Sequence, residues 1–146
     1  AELELVSADL TSHTLVISRN SQCSVFTVHD DTLVVLDTPS QAIGIHPHTK
    51  PVIVELPMVP ITYVVACTDG VCSAGERRGM PIDLSRLVIE AAQKHPTAQD
   101  LADHLLAHAI AADDGRPVDD MSVLVMAVLP EEIPDGIRRY SVSLPL

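Results

Sequence analysis

Aromatic side chains are nearly absent: the chain has no tryptophan, one phenylalanine and two tyrosines in 146 residues. Platforms for stacking single-stranded bases or sugar rings have nothing to be built from. The core must come from Val, Leu, Ile and Ala, within an apolar fraction of 47% that argues against a disordered chain. Basic residues are also scarce, 9 Lys and Arg against 20 Asp and Glu, for a net charge of −11. Such a surface repels phosphate backbones and anionic lipid, so neither nucleic acid nor membrane is expected as a partner. Three cysteines, Cys23, Cys67 and Cys72, form no C-x-x-C pair. An odd count without that pair argues against a disulfide framework and a cysteine-based zinc site, and points to a reducing, cytoplasmic compartment. No window approaches the ~18 uninterrupted apolar residues of a membrane span, and the start carries no basic segment leading into an apolar one.

What is present reads as one domain over residues 1–146, a length that suits a single core. Glu2–Val6 and Thr14–Ser18 alternate around the turn at Thr11-Ser12-His13, a hairpin pattern. Cys23–His29 and Thr32–Leu36 repeat it around Asp30-Asp31. The loop Pro39–Lys50 leads to Val52–Leu56, which Pro51, Pro57 and Pro60 restrict to a sheet edge or a connection. Ile61–Cys67 is a continuous, β-branched run expected to be covered on both faces. The period then changes. Leu84, Leu87, Val88, Ala91 and Ala92 predict a helix after Asp83, and Thr97-Ala98-Gln99-Asp100 has capping-box spacing before a second helix with a Leu101, Leu105, Ala109 and Ala112 stripe. Met121–Leu129 is a further apolar strand, and an alternating tail strand is expected over 137–146. The fold class is therefore α+β, an antiparallel sheet or sandwich with a helix pair packed on it.

Acidic residues stand directly against the two most apolar strands. Thr68-Asp69-Gly70 follows Ile61–Cys67, and Asp119-Asp120 precedes Met121–Leu129. If these strands are antiparallel neighbours, Asp69 and Asp119 face each other across a strand spacing of ~5 Å. Two carboxylates that close repel unless a cation lies between them, and their hard oxygens suit Mg²⁺ or Mn²⁺. Asp-Gly is equally an ordinary turn dipeptide, and spacing alone leaves both readings open.

The string Cys67–Gly79, the helix pair and then Pro117-Val118-Asp119-Asp120-Met121-Ser122-Val123-Leu124-Val125 resemble the metal-dependent PPM, or type 2C, protein phosphatases in their SpoIIE-like branch. The resemblance covers residues 3–129 and implies part of a four-layer α-β-β-α domain. It further implies Mn²⁺ or Mg²⁺, two ions in the family, whose activated water hydrolyses phosphoserine or phosphothreonine without a protein nucleophile. Asp69 and Asp119 match metal ligands, Gly70 and Asp120 support them, and Arg77 and Arg78 lie beside the active site, either in a surface turn or as a cationic contact for a phosphoprotein. The implied substrate is a phosphorylated regulatory protein, of the anti-anti-sigma type in many members. Two departures accompany it. No Asp-Gly precedes Asp69, since Asp9, Asp30, Asp31 and Asp37 all lack a following glycine, and Met58-Val59-Pro60 stands where a Gly-Asp turn is usual. The chain, opening on Ala1 rather than Met, thus looks like the C-terminal portion of such a domain with an incomplete metal site. The alternative is a non-catalytic interaction module derived from the same fold, and the sheet edge or tail offers a route to a homodimer.

Other candidates have plainer readings. His104 and His108 share a helix face without a third ligand, and His46-x-His48 lies in a Pro-bearing loop. Cys67 is expected in the core, and Cys72 beyond the Asp-Gly pair is the thiol with a claim to exposure.

Overall fold

The computed structural model describes residues 1–94 and 96–130. The expected tail strand over 137–146 lies outside the described residues. Two antiparallel sheets are stacked. The first has the order β1-β2-β5, from β1 (Leu3–Asp9), β2 (Thr14–Asn20) and β5 (Val52–Pro57). The second has the order β4-β3-β6-β7, from β3 (Val25–His29), β4 (Thr32–Leu36), β6 (Thr62–Cys67) and β7 (Val123–Val128). Both expected hairpins form, with Val6 opposite Ile17 and Val28 opposite Leu33. Among the described residues β5 is an outer strand, as suits a strand preceded by Pro51 and ending in Pro57.

All six residues of β6 are buried, and the alternation of its side chains explains how. Val64 and Ala66 point between the sheets, into a cluster with Leu15, Ile17 and Val25. Tyr63, Val65 and Cys67 point the other way, into the larger cluster beneath the helices. There α2 (Leu84–Ala92) buries Leu84, Val88, Ala91 and Ala92, and α3 (Ala98–Ala112) buries Leu101, Leu105 and Ala109. Both helices start at the expected caps: Asp83 accepts from the Arg86 amide at 3.0 Å, and Thr97 from the Asp100 amide at 3.1 Å. Among the described residues the layers are therefore sheet, sheet and helix pair. Leu3, Leu5 and Ile53 stay exposed on the first sheet. No helix there is long and apolar enough to cross a membrane.

Two local details differ from the sequence expectation. Asp69-Gly70 is not a simple turn but opens the four-residue helix α1 (Asp69–Cys72). The strand expected from Met121 begins two residues later, because Ser122 is held by Thr68, as described next.

Candidate functional site

β6 and β7 are antiparallel neighbours, with Cys67 opposite Val123. This register brings the end of the first strand beside the start of the second, the condition on which convergence of the two acidic motifs depended. Thr68 is the fastener. Its amide donates to the Ser122 carbonyl at 3.1 Å, its hydroxyl donates to the Asp120 carbonyl at 2.9 Å, and the Ser122 amide donates to that hydroxyl at 2.9 Å. With Oγ1 so engaged, Thr68 serves as the N-cap of α1 by its extended backbone, without a side-chain capping bond. Gly70 then passes hard against the acidic pair. A Cβ there would sit 2.6 Å from the Asp120 carbonyl oxygen and 3.3 Å from the Asp119 carbonyl carbon, so no larger residue fits without moving backbone.

Asp69, Asp119 and Asp120 are all exposed. In Asp69 and Asp119 one oxygen, Oδ1, accepts from the amide of the next residue, at 2.9 Å from Gly70 and 2.8 Å from Asp120. These short bonds orient each carboxylate, and among the described residues its second oxygen accepts no protein hydrogen bond. Exposed carboxylates with one free oxygen each suit a hard dication in kind. In number they supply part of a shell: among the described residues no group of three His, Cys, Asp or Glu side chains is placed to hold an ion.

A cavity of about 200 Å³ opens beside them. Gly70, Ser73 and Val118 line it, together with three carboxylate residues, Glu76, Asp113 and Asp119, and one cationic one, Arg77. Of the two arginines expected at a substrate, Arg77 is therefore at the cavity. Arg78 is engaged elsewhere: its guanidinium pairs with Asp114 at 2.8 Å and donates to the Ala112 carbonyl at 3.2 Å. Glu76 and Asp113 were not apparent as cavity residues. Asp113 reads in sequence as the end of a helix, and only the packing of α3 places it next to residues almost forty positions upstream.

The remaining candidates behave as plainer chemistry. His104 and His108 pack ring to ring at 4.3 Å, and burial, then the neighbouring His108, lowers the His104 pKa. His46 and His48 are exposed in their loop. Cys67 belongs to the core, where burial pushes its thiol up to about 12. Cys72 is half-buried against the same cluster and its pKa is likewise raised by burial, so neither thiol is an activated nucleophile.

Comparison with solved structures places the fold. The phosphatase domain of the cell fate determinant SpoIIE from Bacillus subtilis superposes with a TM-score of 0.67 at 19% identity, covering 92% of this chain and 61% of that one. The SiaA-PP2C domain of Pseudomonas aeruginosa gives 0.69 at 19% identity, over 86% of this chain and 51% of that one. The Mycobacterium tuberculosis serine/threonine phosphatase PstP/Ppp gives 0.65 at 12% identity, over 88% and 60%. The chain thus spans between half and two thirds of these domains. No curated relative matches it in sequence. The profile of the family described as Stage II sporulation protein E matches residues 1–129. The chain belongs to the SpoIIE family, with the fold of the PP2C-type phosphatase domains.

Proposed function

We propose that this chain contributes the Asp69 and Asp119 half of a metal-dependent phosphoserine/phosphothreonine phosphatase site. The observation that carries the reading is the Thr68–Asp120–Ser122 fastening, which sets the two acidic motifs side by side at the mouth of a cavity that also holds Arg77. In this reading Asp69 and Asp119 each offer the free carboxylate oxygen to Mn²⁺ or Mg²⁺. When bound, such ions acidify water and neutralise charge on phosphoryl oxygens. Asp120 contributes through its peptide, whose amide orients Asp119 and whose carbonyl anchors Thr68. Arg77 offers the phosphate a charge-assisted contact, and Arg78 acts at one remove by fixing the turn that carries it. The substrate class that goes with the family is a phosphorylated regulatory protein of the anti-anti-sigma type.

The test is hydrolysis of a phosphoserine peptide across a Mn²⁺ titration. Activity that rises with Mn²⁺ is expected, and Asp69→Asn should remove it while leaving the melting temperature unchanged, because an exposed charge is lost and almost no volume. An Asp69→Asn protein with wild-type activity contradicts the assignment. A second reading, an interaction module without catalysis, is favoured by the shortage of ligands in the described residues. It predicts no hydrolysis at any Mn²⁺ concentration.

A further inference from the structure

Residues 73–80 form a tight loop with its own internal bonding. The Glu76 amide donates to the Ser73 carbonyl at 3.1 Å, the Arg78 and Met80 amides to the Gly75 carbonyl at 3.1 and 3.0 Å, and the Gly79 amide to the Glu76 carbonyl at 2.9 Å. These bonds close the loop on itself. Among the described residues, each of its long-range hydrogen bonds goes to the last turn of α3 or the residue capping it. The Gly75 amide donates to Asp113 Oδ1 at 2.9 Å in a part-buried setting, and Arg78 reaches the Ala112 carbonyl and Asp114. The contact is close: a Cβ on Gly75, which lies at φ +79°, would meet the Met80 carbonyl oxygen at 2.1 Å and the Ala112 Cβ at 3.3 Å. α3 itself is anchored in the core by Leu101, Leu105 and Ala109, all fully buried.

We propose that Asp113 is a positioning residue: by holding the Gly75 amide it sets the 73–80 loop so that Arg77 faces the cavity beside Asp119. This rests on the phosphatase reading above and adds a residue to it. The bond is charge-assisted and shielded, whereas the Arg78–Asp114 pair is exposed and contributes little by itself. The placement matters because Glu76, Asp113 and Asp119 make the cavity wall acidic, and Arg77 is the cation among its lining residues. A loop released from α3 leaves that wall facing an anionic phosphate with its cation misplaced.

The role is separable from a role of the Asp113 charge, since asparagine keeps the acceptor oxygen and loses the charge. Two readouts are compared in wild type, Asp113→Asn and Asp113→Ala: hydrogen exchange of the Gly75 amide, and kcat and KM for a phosphoserine peptide with Mn²⁺. Asp113→Ala is expected to lose about tenfold of the Gly75 protection, a local opening, and to raise KM about tenfold with kcat changed less than about twofold, the signature of a lost binding contact. Asp113→Asn, which keeps a weaker neutral acceptor, should retain most of the Gly75 protection and a KM within about threefold of wild type. Asp113→Asn failing as Asp113→Ala does, or Asp113→Ala keeping its KM, overturns the positioning role while the phosphatase reading stands. A wild-type chain that neither binds nor hydrolyses the peptide overturns the phosphatase reading and this role with it; the exchange data then describe a purely structural bond.

Discussion

Arg19→Ala is expected to destabilise the chain by about 3–5 kcal/mol, from two carbonyls left without their donor at about 1–3 kcal/mol each and the space vacated by a buried side chain, as read from urea denaturation. Arg19 is 1% exposed on β2, facing the second sheet. Its guanidinium donates to the Cys23 carbonyl in the crossover to β3 and to the Thr38 carbonyl at 3.3 Å beyond β4. It thereby ties two irregular connections to a strand. Alanine would leave both carbonyls without this donor and would remove the cation opposite Glu4, its cross-strand neighbour.

Glu4 gives this prediction a pH signature. Burial raises its pKa above the ordinary 4.5, and Arg19 partly opposes that rise. A carboxyl with a raised folded-state pKa favours folding while protonated, and the contribution is lost as pH climbs through the folded value. Without Arg19 the rise is larger, so the deficit of the variant should grow as pH increases above 4.5. The doubly apolar variant Glu4→Leu/Arg19→Met should recover part of the loss, since the half-buried Glu4 carboxylate is then no longer left without the nearby cation. Equal deficits at pH 4.5 and pH 7 would show that the carbonyl ties alone matter.

Gly70→Ala is expected to cost about 2 kcal/mol, as overpacking against immovable backbone does, and to remove Mn²⁺-dependent activity altogether. The methyl would lie 2.6 Å from the Asp120 carbonyl oxygen. Relief requires α1 to retreat from the start of β7, and that motion separates Asp69 from Asp119 and strains the three hydrogen bonds around Thr68. Stability and activity should therefore fall together, in contrast to Asp69→Asn, which affects activity alone. A Gly70→Ala protein with wild-type melting temperature would mean that the two segments are looser than the hydrogen bonds imply.

Most of the fold was legible because each element advertises its own period. The hairpins at Thr11-Ser12-His13 and Asp30-Asp31, the two-sided burial of Ile61–Cys67 and the caps at Asp83 and Thr97 are all local signals, and each appears where its pattern sits. Adjacency of β6 and β7 was an assumption in the sequence and is an observed register in the structure. What stayed hidden was non-local. Nothing near Asp113 announces that its carboxylate meets the Gly75 amide 38 residues earlier, and nothing near Arg78 announces Asp114. Arg19 lies just past the strand expected over Thr14–Ser18; the strand runs on to Asn20, and only the stacking of the sheets buries Arg19. Helix α1 was hidden for another reason: four residues are too few to show a period, and Asp-Gly is as much at home in a turn as at a helix start.

Asp69 and Asp119 are expected to bind one divalent ion between them, weakly, with an affinity on the order of 1 mM as suits so sparse a ligand set. This binding is tested most directly by adding Mn²⁺ to the isotope-labelled chain and following the amide NMR signals. The paramagnetic ion is expected to broaden Gly70, Asp119 and Asp120 first, and Asp69→Asn to abolish the effect. Broadening that is uniform over the acidic surface, or that centres on Asp30-Asp31 and survives Asp69→Asn, would contradict it.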